Sequence, residues 1–518
     1  MTAPDGDRRS FSSRTPANEN PDRVGYRRGF VTRHQVTGWR FVMRRIASGV
    51  ALHDTRMLVD PLRTQSRAVL VGALVLVTGI VGCFLFSLIR PSGSAGDDAI
   101  LADRDTAALY VRLGDQLHPV LNLASARLIA GRPDNPALVK SSELDQFPRG
   151  NMLGIPGAPE RMVANQTRDA FWTVCDAATG PQAGVTVIAG PPATDGERAS
   201  ALPDGQAVLA ENGGITWLLW DGRRSAVDLA DRAVVDGLGV GAEMAGRGPQ
   251  PIADGLFNAI PEGPALISPL IPGAGTPAQV PLPVDAPVGA VLVAYEADNT
   301  LRHYVVLPDG LQPIPVVLAS ILRNTNSYGF AAPPRIGADE VARVPVADGI
   351  DTSAYPAQPL DLVDTAADPV TCVTWAKPEG AQEKNSLTLL SGPTLPTPAG
   401  LHTVDLVSSG GPGGPATRVA LTPGTGYFVD SRGSLFWVSD TGVRYGIDTG
   451  HSGSGETGFD TVEALGLASA PLPIPWSVLS QFAAGPTLSR ADALLAHDTL
   501  APAAAPARLE NLTSMENP

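Results

Sequence analysis

The sequence predicts an α+β protein: a single transmembrane helix carrying a large extracytoplasmic domain, in which a central, mostly antiparallel β domain is joined by four small βα repeat modules. Three observations carry that expectation. Residues 68–89, AVLVGALVLVTGIVGCFLFSLI, form a run of 22 positions without a charge. Two of the three cysteines, Cys175 and Cys372, lie beyond that run in strand-like segments. An aromatic strand followed by a glycine turn recurs four times, with Gly114, Gly222, Gly310 and Gly442 at the turns.

Residues 1–33 are polar and Arg-rich and hold three prolines, so a disordered cytoplasmic arm is expected. Residues 34–67 change pattern. Trp39, Val42, Met43, Ile46, Ala47 and Val50 recur at helical spacing, while Arg40, Arg44 and Arg45 lie largely off that stripe. A basic amphipathic helix of this kind lies on an anionic membrane face, packs on a partner, or is simply a solvated juxtamembrane helix. Trp39 and Met43 on an apolar face without a local core favour partner docking. Pro61 breaks the helix.

Residues 68–89 would make a helix roughly 33 Å long, enough to cross a hydrocarbon core of about 30 Å. A cleavable signal peptide would be shorter and nearer the start. Ile80-Val81-Gly82-Cys83 resembles a lipoprotein cleavage box, but the residues after Cys83 stay apolar where a processed lipoprotein turns polar. Arg67 and Arg90 flank the span. Residues 1–67 hold 13 Arg, no Lys and 6 acidic residues, a net of +7. The whole chain is −14, so residues 68–518 carry −21. Basic residues beside a span stay cytoplasmic, which puts the N-terminus inside and the C-terminal domain outside the membrane of a single-pass protein.

Beyond a linker at 90–99, frequent Gly and Pro with modest charge suit short strands and many turns. The recurrence divides the domain into repeat 1 (100–160), the first half of the central domain (161–212), repeat 2 (213–266), a connector (267–300), repeat 3 (301–348), the second half of the central domain (349–432) and repeat 4 (433–500). A disordered Ala/Pro-rich tail (501–518) follows. Each repeat pairs an aromatic strand with a turn, a second short strand, helical matter and a closing proline. The Asp-Gly and Thr-Gly steps are hairpin chemistry, because glycine tolerates positive φ there. The simplest architecture builds one sheet from the two central halves, with two modules at each side.

Phe171-Trp172-Thr173-Val174-Cys175 and Cys372-Val373-Thr374-Trp375 both read as strands with Trp and β-branched residues beside the cysteine. In an oxidising compartment this favours a structural disulfide across one sheet; two unrelated buried thiols are the alternative.

A constellation for catalysis is not evident. The three lysines, Lys140, Lys377 and Lys384, do not follow a glycine, so no Walker-type phosphate loop is present. The Gly-rich run Ser408–Pro415 reads as a flexible hairpin loop. Gly450-His451-Ser452-Gly453-Ser454 departs from a nucleophile elbow at its last position. The seven histidines lack zinc-ligand spacing. Asp97, Asp98, Asp103 and Asp105 read as a solvated linker, with a weak calcium site as the outside alternative. An outer charge of −21 argues against nucleic acid. No cofactor or metal is expected. Trp217, Trp220 and Trp437 could bind a cell wall if exposed, although core positions suit them better.

Gln35-Val36-Thr37-Gly38-Trp39-Arg40-Phe41, then Arg44-Arg45, then Asp54–Pro61 lead straight into the single span. With the basic arm, four repeats and paired cysteines, this arrangement resembles the EccB family, a core membrane component of mycobacterial type VII (ESX) secretion systems. The resemblance implies a structural subunit that assembles with EccC, EccD and EccE in the inner membrane and dimerises, or forms a higher assembly, in the periplasm. Its repeats look like a phage-lysin wall-binding fold, which implies a peptidoglycan contact as an alternative. The family also carries an ATPase label, and ATP is expected only if that label holds; without a Walker motif the motor activity is expected to lie in EccC.

Overall fold

The computed structural model describes residues 32–53, 61–89, 95–241, 248–296, 299–381, 385–408, 414–449 and 460–500. The expected arm before residue 32, the tail from 501, Arg90, most of the Gly-rich run and the Gly450–Ser454 turn lie outside these residues. The chain divides into two compact units at residues 92 and 93.

The first unit is helical. Helix α1 (Arg33–Leu52) opens with the Gln35 side chain accepting the Thr32 N–H at 2.9 Å. It closes at His53, whose φ of 54° ends the helix and whose N–H returns to the Gly49 carbonyl. Helix α2 (Pro61–Ile89) starts on its proline, where a missing N–H costs nothing. It contains one stretch, Arg67–Leu85, that is long and apolar enough to cross a membrane.

The second unit is built on a seven-stranded sheet. Its strands are β1 (Ala170–Ala177), β2 (Gly184–Ala189), β3 (Ser200–Ala201), β4 (Val370–Lys377), β5 (Ser386–Gly392), β6 (Thr403–Asp405) and β7 (Arg418–Ala420). Their spatial order is β6-β7-β2-β1-β4-β5-β3, and every pairing is antiparallel except β7 with β2. The central β1–β4 seam therefore joins segments about 200 residues apart in sequence, and each flank mixes the two: β7 pairs with β2, and β3 pairs with β5.

Among the described residues, four of the five smaller sheets contain a three-stranded antiparallel meander, over residues 100–119, 206–226, 291–314 and 427–446. The sequence pattern names the last two strands of each; the strands that open three of the meanders, Gln206–Asn212, Tyr427–Ser431 and Val291–Tyr295, fall in the stretches expected as central domain and connector. Tight turns join two of these strands to their modules: Gly213-Gly214 and Arg432-Gly433 have positive φ at both central positions, the type I′ geometry that matches strand twist.

Asp221-Gly222 is a third such turn, with φ of 45° and 70°. Gly114 and Gly442 also have positive φ, as the turn chemistry predicts. Gly310 does not. Pro308 fixes a negative φ at the first turn position, so Gly310 simply starts a strand opposite Leu307. It is small for another reason: a Cβ there would strike the Pro345 carbonyl.

Modules pack in pairs. Repeats 1 and 4 share one hydrophobic cluster, in which Leu128 of helix α3 (Leu123–Ala130) lies with Leu465 and Trp437. Repeats 2 and 3 share another, where α4 (Arg232–Leu238) crosses α6 (Val316–Thr325). Gly237 makes that crossing close, since a Cβ on it would lie 2.5 Å from the Ile321 side chain. Helices α5 (Asp254–Ala259) and α7 (Trp476–Leu479) cover one face of β1 and β4, burying Leu256, Val478 and Leu479 against Val174 and Val373.

Candidate functional site

Along the β1–β4 seam the register pairs Trp172 with Trp375, Thr173 with Thr374, Val174 with Val373 and Cys175 with Cys372. The letters Trp-Thr-Val-Cys thus meet their own reverse. Cys175 and Cys372 are joined in a disulfide with Cα atoms 4.0 Å apart, and both are fully buried. Two positions along the strand on the same face, the Thr173 and Thr374 hydroxyls form a 2.9 Å hydrogen bond. Val174 opposite Val373 is the centre of this symmetry.

Strand β1 also holds two modules. The indole N–H of Trp172 donates to the Pro473 carbonyl at 2.9 Å, tying in repeat 4. The Asp176 carboxylate accepts the Ala253 N–H at 2.7 Å, at the start of α5 in repeat 2. Burial raises the pKa of Asp176 above its ordinary value, while the Ala253 hydrogen bond acts in the opposite direction. The matching residue of repeat 4 is Pro475, just before α7, which has no N–H to satisfy.

Each meander is closed by a polar side chain on its last strand, reaching the backbone of the segment that follows. His118 bonds the Asn151 carbonyl at 2.9 Å. Arg224 donates to the carbonyls of Phe257, at 2.8 Å, and Ile260, and pairs with Glu262 at 3.1 Å. Gln312 donates to the Ile350 carbonyl and accepts the N–H groups of Gly349 and Ile350. Arg444 donates to the Phe482 carbonyl at 3.3 Å. Sequence reasoning misses all four, because no single residue type marks the position: it is His118, Arg224, Gln312 and Arg444. Burial lowers the pKa of Arg224, and Glu262 acts against that shift.

The docking residues named from sequence lie together on α1. Trp39 is 65% exposed and Met43 46%, with Val42 and Ile46 likewise open and Arg40, Arg44 and Arg45 alongside. The aromatics considered for a wall contact are core instead: Trp217, Trp220 and Trp437 are 7%, 6% and 1% exposed. Arg224 stacks on Phe257 and Arg223 on Trp220, at 4.0 and 4.2 Å from the ring centroids. Among the described residues no group of three His, Cys, Asp or Glu is placed to hold a metal ion. Lys140 precedes the four-residue helix Ser141–Leu144 without a glycine loop, and Lys377 ends β4.

Comparison with known proteins adds the rest. Residues 28–502 match the family described as "Type VII secretion system ESX-1, transport TM domain B". The chain is 66% identical over 525 residues to a protein of Mycolicibacterium smegmatis named "ESX-3 secretion system ATPase EccB3", covering 98% of this chain and 99% of that one. Among solved structures, an EccB3 dimer from the ESX-3 core complex is 60% identical with a TM-score of 0.68, covering 77% of this chain and all of that one. A chain of an intact ESX-5 inner membrane complex is 39% identical with a TM-score of 0.73, covering 94% and 99%. Both in its fold and along nearly its whole length, this chain belongs to the EccB family of type VII secretion membrane components.

Proposed function

We propose that this protein is a non-enzymatic scaffold of an ESX-3 type VII core complex, with its N-terminus in the cytoplasm and its β-rich unit in the periplasm. The observation that carries the docking role is α1, where Trp39, Val42, Met43 and Ile46 expose one apolar stripe beside three arginines. A helix of that composition gains stability by covering the stripe, and the partners that suit it are the membrane components EccC, EccD and EccE. Higher identity to an ESX-3 relative than to the ESX-5 chain supports the choice of system. The +7 arm before the span and the −21 that follows support the orientation. A second copy of the chain suits the periplasmic unit, as in the EccB3 dimer.

The ATPase in the relative's name is assigned to another subunit. A Walker-type phosphate loop needs a backbone cradle with a lysine, and neither Lys140 nor Lys377 sits in one. The test is gentle detergent extraction of tagged protein from its native membrane, followed by sizing and mass spectrometry. Recovery in a large assembly with an ATPase and a multi-span protein is expected; recovery as a lone monomer or dimer rejects the scaffold role. Nucleotide turnover by the purified β-rich unit above a buffer blank would overturn the non-enzymatic reading.

A further inference from the structure

Repeats 2 and 4 are each closed by an arginine, and the two arginines differ in their counter-charge. In repeat 2, Arg224 lies opposite Leu219 on the meander and opposite Glu262 on the segment that follows. In repeat 4, Arg444 lies opposite Val438 and Ala484. The backbones match at these places: Gly263 donates its N–H to the Arg224 carbonyl and Gly485 donates its N–H to the Arg444 carbonyl, both at 2.8 Å. Arg224 and Arg444 are therefore counterparts, and Ala484 stands where repeat 2 has Glu262.

That exchange leaves the Arg444 guanidinium open. Arg224 turns one terminal nitrogen to the carbonyls of Phe257 and Ile260 and the other to the Glu262 carboxylate. Arg444 reaches the Phe482 carbonyl through Nε, at 3.3 Å. Among the described residues no hydrogen bond or ion pair uses its two terminal nitrogens, which carry four of the five N–H donors. Burial lowers the pKa of both arginines; Glu262 opposes the shift at Arg224, whereas no described acidic group opposes it at Arg444. The aromatic surroundings differ in the same sense. Trp217, beside Arg224, is 7% exposed. Trp476, whose ring centre lies 5.1 Å from the Arg444 guanidinium carbon, is 48% exposed and tilts against Phe436 with ring centres 6.1 Å apart.

We propose that Arg444, Trp476 and Phe436 form a binding site for a small aliphatic carboxylate, which places on Arg444 the group that Glu262 supplies to Arg224. The internal counterpart defines the chemistry. What Glu262 carries beyond its Cβ, and Ala484 lacks, is a methylene and a carboxylate, the size of an acetate ion. A guanidinium with both terminal nitrogens available takes a carboxylate through two parallel hydrogen bonds, stronger than those to a neutral acceptor. The open indole face beside it accepts the hydrocarbon attached to that carboxylate.

The probe is trifluorobutyrate, titrated into the full-length protein in a non-ionic detergent at constant ionic strength and followed by fluorine NMR. Saturable binding is expected, displaced by butyrate and absent for trifluorobutyramide, which has a similar shape without the charge. Trp476→Ala should weaken binding about fivefold, through loss of the ring beside the guanidinium. Arg444→Gln, which keeps a donor for the Phe482 carbonyl, should abolish it. Ala484→Glu should also abolish it, by filling the fork from within; Ala484 is exposed, so loss of binding there reports occupancy of the site and not misfolding. Absence of saturable binding, equal binding of the amide, or undiminished binding in Arg444→Gln or Ala484→Glu would each overturn the proposal.

Discussion

The hydroxyls of Thr173 and Thr374, 2.9 Å apart, occupy the position related to the Cys175–Cys372 disulfide by the symmetry of the β1–β4 seam. Thr374 is the counterpart of Cys175, and Cys372 that of Thr173, one on each side of the Val174–Val373 pair. A hydrogen bond and a covalent bond thus hold equivalent places on one buried sheet.

A second disulfide should therefore form in Thr173→Cys/Thr374→Cys, because both sites share pair type and face. Non-reducing mass analysis is expected to find two bridges. Cys175 and Cys372 should resist alkylation in the native protein until it is reduced. Replacing both native cysteines by Val should cost about 2–5 kcal/mol, the range for closing a long loop. Prompt labelling of Cys175 and Cys372 without reductant, or free thiols at 173 and 374, contradicts this account.

The disulfide and the membrane helix are legible in the sequence because each is written locally. An uncharged run between arginines needs no tertiary context, and a cysteine beside Trp and β-branched residues announces a buried strand. The first strands of three modules are harder to place because a short apolar run carries no mark of which sheet it joins; the turns at Gly213-Gly214 and Arg432-Gly433 hold that information for two of them. Gly310 misleads because Asp-Gly alone suggests a primed turn, while Pro308 one step earlier forbids it. The closures by His118, Arg224, Gln312 and Arg444 are hidden altogether. A polar residue in a strand reads as solvent-facing until the segment folding over it, more than thirty residues later, is known.

Arg224 should be the most costly of these closures to remove. Arg224→Ala leaves the carbonyls of Phe257 and Ile260 without their donor and uncovers the face of Phe257. A loss of about 2–4 kcal/mol is expected, with faster hydrogen exchange across α5. Arg224→Lys should recover only a fraction of it, since one ammonium cannot reproduce the guanidinium fork. Stability unchanged within about 0.5 kcal/mol would show that the closure contributes nothing.

On α1, Trp39→Glu with Met43→Glu should release the membrane partners. Each change places a charge in the stripe that a partner must cover, and an unpaired buried charge is far more costly than lost apolar contact. Detergent-extracted complexes should shift to a smaller species by size and lose partner peptides by mass spectrometry. Arg40→Ala, beside the stripe, should leave the complex largely intact at low salt. An intact assembly in the double variant removes α1 from the docking surface.

Asp176 should make the stability of the β-rich unit depend on pH in the direction opposite to an ion-paired carboxylate. It is buried beneath α5, burial raises its pKa above 3.8, and the Ala253 N–H is the one interaction that opposes the shift. A group whose folded pKa is raised contributes stability that is complete below its unfolded pKa. That contribution is lost as pH rises through the folded value, because the folded state then holds a buried charge that the unfolded state would solvate. Asp176→Asn keeps an oxygen to accept the Ala253 N–H and never ionises. The difference in melting temperature, variant minus parent, should therefore grow more positive between pH 4 and pH 7.5. A difference that stays flat or falls over that range would mean that the Ala253 hydrogen bond outweighs burial, and that Asp176 holds repeat 2 to the central sheet as a charged cap on α5.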